Sequence, residues 1–360
     1  MADAAGVTDR LAELTLSLVD IPSVSRSEDE IAQVVRRLLP DGLEFWVDDG
    51  PSMFLGTPRR DDRPFVVLAG HLDTVPVQDN LPGHVEDGLV VGLGSSDMKG
   101  GLAVMLELAR AVAISTPQSV DVGFLFFGRE ELPPDESPLP ALLAASPELV
   151  SADLAVMLEP TDNTIQAGCL GNINATLTFH GDSAHSARPW LGVNAIGVAL
   201  PALDRLLGLP RNEVTIEGLS FYEVLSVTQI KAGIADNIIP GEVWCRLNYR
   251  YAPNRTEPEA VSRLEELVGP GGALSVTSVS GPAHVVVSTP LVERLRASAA
   301  LAVEPKQAWT PVAQFSDAGI DAINLGPGNP HFAHRRDEQI EIQALRRTYD
   351  ALRSFLYEGG

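Results

Sequence analysis

The chain has 360 residues, more than one hydrophobic core usually organises, so its length implies two domains or one domain with a large insertion. Its 45% hydrophobic and 21% charged residues are those of a globular protein rather than a disordered one. A formal net charge of -22 argues against nucleic acid as a partner, which needs clustered Lys and Arg, and no run approaches the ~20 apolar residues of a membrane span.

The first segment carries acids and no basic stretch ahead of an apolar core, so it does not read as a signal peptide; Leu11, Leu14, Leu16 and Val19 suit an amphipathic first helix. Residues 28–39 read as a second helix with Ser27 as its N-cap. The run 64–70 reads as a buried strand, residues 98–113 have helical periodicity, and 120–127 and 154–158 are two further apolar runs. Strands alternating with helices imply an α/β fold with a mainly parallel sheet and helices on both faces. The Pro-rich stretch 132–140 is short and reads as a loop.

Near Gly171 the pattern changes. Residues 174–179 alternate, 193–207 are helix-like, and three segments that follow look like half-exposed antiparallel strands. The α/β style resumes near Gly281-Pro282, with a helix around 291–302, a strand at 322–325 and a last helix at 342–356. The economical reading is a discontinuous domain, 1–171 and 283–360, with an α+β domain inserted at 172–282. No internal repeat interrupts it. The only cysteines, Cys169 and Cys245, form no CxxC pair, which suits the reducing cytoplasm rather than a disulfide scaffold.

Possible metal ligands stand just past the ends of the apolar runs: His71 and Asp73 after one, Glu130 and Glu131 after the next, Glu159 after the third. The crevice at the carboxyl ends of the strands is where open α/β sheets bind ligands. Asp97 sits where the Gly-rich stretch 92–96 opens a helix, and His334 lies in a loop after the strand at 322–325. Taken singly, each is weak: Asp97 alone would be a helix N-cap, and His334 stands in a charged surface-like run. Together they offer imidazole and carboxylate without thiolate, the donor set of a catalytic metal site. Five donors are too many for one tetrahedral ion with an open position, and suit two ions bridged by a carboxylate.

These segments resemble the zinc-dependent aminoacylase and carboxypeptidase family of metallopeptidases. The resemblance rests on Gly70-His71-Leu72-Asp73-Thr74-Val75-Pro76 and on the run from Gly92 to Gly101. Glu130-Glu131, Glu159-Pro160, the run from Gly181 to Ser186, Asn237-Ile238-Ile239-Pro240-Gly241 and His334 with Glu338 complete it. It implies a zinc-exopeptidase-like catalytic domain holding two Zn2+, with Co2+ as a substitute. His71 and Glu159 would hold one ion, Glu131 and His334 the other, and Asp97 would bridge them. Asp73 would orient His71 through its carboxylate, and Glu130 would be the general base. The inserted domain would be a lid that also makes a homodimer, offering His185 to the neighbouring active site.

Within the family the segments are most similar to the desuccinylases of the lysine pathway, with acetylornithine deacetylases next. A small anionic N-acyl amino acid is the substrate so implied. Arg188, Asn237, Arg250 and Ser316 are the candidate substrate contacts, with Arg335 or Arg336 as further cations. The chain departs from the family in having Arg129 where an acid often precedes the Glu pair, and Gln314-Phe315-Ser316-Asp317 where relatives often read Gly-Thr-Ser-Asp. The alternative of another class is a catalytically silent metal-binding scaffold, which would have no need of Glu130.

Overall fold

The computed structural model describes residues 4–60, 62–117 and 119–357. The chain forms two compact units, one of residues 1–168, 286–304 and 311–360, the other of 169–285 and 305–310.

The first unit is built on an eight-stranded sheet. Its centre is four parallel strands in the order Asp121–Phe127, Phe65–His71, Leu154–Met157 and Ala322–Asn324. All four are buried along their whole length, which is why they read as continuous apolar runs without alternation. Antiparallel strands extend the sheet at both sides, Glu44–Asp49 and Ser52–Gly56 at one and Ile165–Ala167 at the other. The helix Gly100–Ile114 packs on Phe65–His71 and Asp121–Phe127, and Val312–Asp317 packs on Leu154–Met157 and Ala322–Asn324. The helices Ala4–Val19 and Ile342–Tyr357 pack in turn on Gly100–Ile114.

Two expected helix starts are corrected. The second helix runs Asp29–Leu38 with Glu28, not Ser27, at the N-cap, and Glu28 makes no cap hydrogen bond because its carboxylate is used elsewhere. The expected helix 98–113 begins at Gly100, preceded by a wide turn Ser95–Lys99 in which Asp97 and Met98 have non-helical backbone angles.

The second unit is a five-stranded antiparallel sheet in the order Asn212–Ile216, Leu219–Ala232, Glu242–Tyr251, Gly171–His180 and Ala273–Ser280. Buried and half-buried residues alternate in Gly171–His180 and Glu242–Tyr251, as expected of strands with one covered face. Ile173, Leu177, Val243, Leu247 and Tyr249 on that face pack with Ala199, Leu203 and Leu264 of the helices Ala195–Leu207 and Glu257–Val268.

Candidate metal centre

The parallel register determines where the donors emerge. His71 is level with Phe127, and Ala69 with Met157. Just beyond, the Leu72 amide donates to the Phe127 carbonyl at 2.7 Å and the Leu158 amide to Ala69 at 2.9 Å. His71, Asp73, Glu130, Glu131 and Glu159 therefore leave the same edge of the sheet.

The side chains meet in three clusters, two of which share Asp97: His71, Asp97 and Glu159 form one and Asp97, Glu131 and His334 the other, while the third brings His71 together with Glu130 and Glu131. His71 Nε2 lies 3.1 Å from Asp97 Oδ1 and 3.7 Å from Glu159 Oε1. His334 Nε2 lies 2.9 Å from Glu131 Oε1 and 3.4 Å from Asp97 Oδ2. Two ligands of one tetrahedral zinc, each bound at ~2.0–2.2 Å, are about 3.3–3.5 Å apart. The observed separations bracket that value, and one oxygen of Asp97 faces each histidine. The donor set thus fits a pair of divalent ions spanned by Asp97.

Asp73 faces His71 with both its main chain and its carboxylate. His71 Nδ1 donates to the Asp73 backbone carbonyl at 3.0 Å, while the carboxylate stands 3.5 Å from Nδ1. That carboxylate accepts from the Ser25 hydroxyl at 2.7 Å and from the amides of Glu130 and Glu131 at 3.0 and 3.1 Å. Asp73 thereby meets the imidazole with its main chain and its carboxylate, and the same carboxylate holds the Glu130-Glu131 turn. Glu28 braces the same turn, since its Oε1 accepts the amides of Arg26 at 2.9 Å and Arg129 at 3.2 Å. Both donors have left-handed backbone angles, with φ of 75° and 62°. Ser25 and Glu28 escaped the sequence reading, because nothing in their spacing ties them to a turn a hundred residues away.

Five carboxylates and two imidazoles crowd one another here. Glu130, half-buried, is pushed well above the ordinary carboxyl range by burial and then by the charge of Glu159. Burial lowers the His71 pKa, but hydrogen bonds to Asp73 and Asp97 carry it well above the usual imidazole value. His334 is raised to about 11 by its hydrogen bonds to Asp97 and Glu131. Without metal, positive charge is held on the imidazoles, between the carboxylates.

The remaining candidates fall in separate places. His185 pairs with Ile238 in a two-stranded ribbon of the second unit. The Ser186 amide donates to the Asn237 carbonyl at 2.9 Å and the Arg188 amide to that of His185 at 2.8 Å, so His185, Arg188 and Asn237 form one exposed cluster. Arg250 is half-buried on the strand Glu242–Tyr251, donating to Asn248 at 3.0 Å. Ser316 is half-buried in the first unit, in the helix Val312–Asp317, and belongs to none of the donor clusters. Arg335 is paired with Asp337 at 2.8 Å and Arg336 with Asp79 at 3.0 Å, which engages both further cations.

The profile of peptidase family M20/M25/M40 matches residues 67–358. The chain is 38% identical to a succinyl-diaminopimelate desuccinylase of Corynebacterium glutamicum, covering 96% of this chain and 95% of that protein. Its fold is similar to that of the aminopeptidase PepT of Bacillus cereus, with a TM-score of 0.78 at 21% identity and coverage of 97% and 98%. It is also similar to a Bacillus subtilis protein described as a dinuclear metal-binding peptidase, with a TM-score of 0.69 at 16% identity and 98% coverage of both chains. Matched along most of its length, with metal-ligand types gathered at the ends of its parallel strands, the chain belongs to peptidase family M20/M25/M40 and is a metal-dependent hydrolase of amide bonds.

Proposed function

We propose that this chain removes the N-succinyl group of succinyl-diaminopimelate, releasing succinate and LL-diaminopimelate. The observation that carries this reading is the 38% identity, over nearly the whole chain, with the corynebacterial desuccinylase. In this reading His71 and Glu159 hold one Zn2+, Glu131 and His334 the other, and Asp97 spans both, with Co2+ able to replace either. When bound, the ion pair makes a water acidic near neutral pH and polarises the amide carbonyl.

Glu130 takes a proton from the attacking water and returns it to the nitrogen as the C–N bond breaks. Its proton affinity, raised by burial and then by the surrounding carboxylates, suits it to both transfers. His185 supplies a donor to the carbonyl oxygen as negative charge develops there. The Ala187 amide donates to His185 Nδ1 at 3.1 Å, which makes Nδ1 an acceptor and leaves the proton of the neutral ring on exposed Nε2. Arg188, Asn237, Arg250 and Ser316 bind the polar and carboxylate groups of the small anionic substrate.

The working form is a homodimer assembled through the second unit. Ile196, Val198, Leu200 and Leu207 are exposed on its helix Ala195–Leu207. The strand Leu219–Ala232 pairs with Asn212–Ile216 only as far as Glu223, so beyond it one edge is open among the described residues. The cytoplasm suits two buried, unpaired cysteines, and no described helix is long and apolar enough to cross a membrane.

The test is kcat/KM on succinyl-diaminopimelate, acetylornithine and a peptide with C-terminal glutamate, each with added zinc. A site built to pair the succinyl carboxylate should favour the first by about 100-fold or more, since the acetyl analogue leaves the arginine that binds that carboxylate without its partner. Faster turnover of acetylornithine would move the activity to deacetylation and leave the roles of the donors standing.

A further inference from the structure

The C-terminal loop that presents His334 also carries Glu338, an acid that is 1% exposed and belongs to none of the donor clusters. Its Oε1 accepts the amides of Ser96 at 3.0 Å and Asp97 at 2.9 Å, and its Oε2 accepts that of Gly94 at 2.9 Å. Its main-chain carbonyl takes the Gly92 amide, also at 2.9 Å. Gly94 is left-handed, with φ of 78°, and Asp97 and Met98 depart from helical angles. Three amides that a regular helix would point along its axis are turned towards one point instead. Burial raises the Glu338 pKa to about 7, and the three N–H groups act against it by stabilising the ionised carboxylate at that point.

The turn is held from below as well. Lys99, 1% exposed, donates to the Ile21 carbonyl at 2.7 Å, and its stem runs under Gly94. On the other side, Gln78 donates to the His334 carbonyl at 3.0 Å and Asn80 to that of Arg335 at 3.3 Å. The Asp97 turn and the His334 loop are distant in sequence, and Glu338 is where the two are tied by charge-assisted hydrogen bonds.

We propose that Glu338 is a positioning residue for the second metal position: bound to no ion itself, it sets the Asp97 turn and the His334 loop at the separation that lets Asp97, Glu131 and His334 grip one. This rests on the reading that those three side chains are ligands. A bystander acid would contribute to folding alone; a positioning acid also sets metal affinity, and most strongly at the position that His334 shares with Asp97. Loss of a group that orients ligands typically weakens metal binding by about 10- to 100-fold.

The test titrates zinc, against a competing chelator, into metal-free wild type, Glu338→Gln and His334→Ala, with metal content per chain measured after gel filtration. Glu338→Gln keeps the shape but loses the charge and turns an NH2 group towards at least one donor amide. It should hold the second ion about 10- to 100-fold more weakly and the first, which keeps His71 and Glu159, with a smaller loss. His334→Ala should retain one ion. If His334→Ala still binds two ions tightly, the ligand assignment fails and the role of Glu338 fails with it. If His334→Ala loses one ion while Glu338→Gln binds both as wild type does, Glu338 alone is reassigned to folding. Amide exchange in metal-free wild type gives a measurement independent of any variant: Gly94, Ser96 and Asp97 should be protected, and exchange as fast as in open loops would overturn the clamp.

Discussion

His71 stands 3.1 Å from Asp97 and 3.7 Å from Glu159, and His334 stands 2.9 Å from Glu131. Such neighbours stabilise an imidazolium, yet only a neutral imidazole can ligate metal. Because the His334 pKa in the metal-free protein is raised to about 11 and that of His71 also lies well above its usual value, both rings carry a proton near neutrality that an incoming ion must displace. Metal affinity should therefore rise with pH through the neutral range, and zinc should bind more weakly at about pH 6 than at about pH 8. Calorimetry in buffers of different ionisation enthalpy should record proton release, and heats independent of buffer would contradict the assigned protonation. Glu130 belongs to the same crowd but, in the proposed mechanism, binds no metal. Glu130→Gln should keep both ions and lose about 100- to 10,000-fold in kcat, the usual worth of a positioned base. Full activity, or loss of an ion, would reassign the residue.

At the scale of elements, the donors stay in place because backbone approaches backbone with no side chain between. A Cβ on Gly326 would come within 2.3 Å of the main-chain oxygens of both Leu158 and Glu159. A Cβ on Gly101 would come within 2.5 Å of the Leu158 oxygen. The end of the strand Leu154–Met157, with Glu159 just beyond, is thus gripped from two sides. Gly326→Ala should push Glu159 out of line, at about 1–3 kcal/mol of overpacking, with loss of the ion shared with His71 outlasting any loss of fold. Two tightly bound ions in a folded Gly326→Ala protein would show that this grip is not needed.

The same scale explains what the sequence made legible. A strand buried on both faces must be a continuous apolar run, and its end is marked by the first polar residue, so His71, Glu130-Glu131 and Glu159 stand out. Hydrogen bonds to main-chain amides leave no such mark. Glu28 looks like the first residue of an amphipathic helix, and its bond to the Arg129 amide depends on a fold already made. Residues 98 and 99 of the wide turn Ser95–Lys99 likewise read as the start of a helix, and the Glu338 carboxylate that accepts amides of that turn lies far along the chain. The assignment of residues 305–310 to the second unit was also illegible, as these few residues have no pattern of their own.

At the scale of the molecule, all the donor side chains belong to the first unit, whereas His185 belongs to the second. If His185 serves the site of a neighbouring copy, complementation follows. Homodimers of His185→Ala and of Glu130→Gln should each be nearly inactive, His185→Ala by about 100- to 1,000-fold through loss of a donor to the developing oxyanion. A mixed dimer should regain one working site, where intact Glu130 meets intact His185 from the partner subunit. Confirmed heterodimers that stay inactive would exclude that arrangement.

The chain enters the second unit at Cys169 and begins to leave it near Val285, and the two ends of that excursion are joined. Cys169 bridges Ala283 antiparallel, its carbonyl taking the Ala283 amide at 3.3 Å. However long the intervening stretch, its ends are as close as those of a hairpin. The cost of closing a loop grows only logarithmically with its length, and here the closure is made within the excursion itself. Residues could be added, removed or wholly exchanged between those two points without lengthening the path that the catalytic strands must bridge. Such a junction lets the second unit diverge while the metal donors of the first stay as they were.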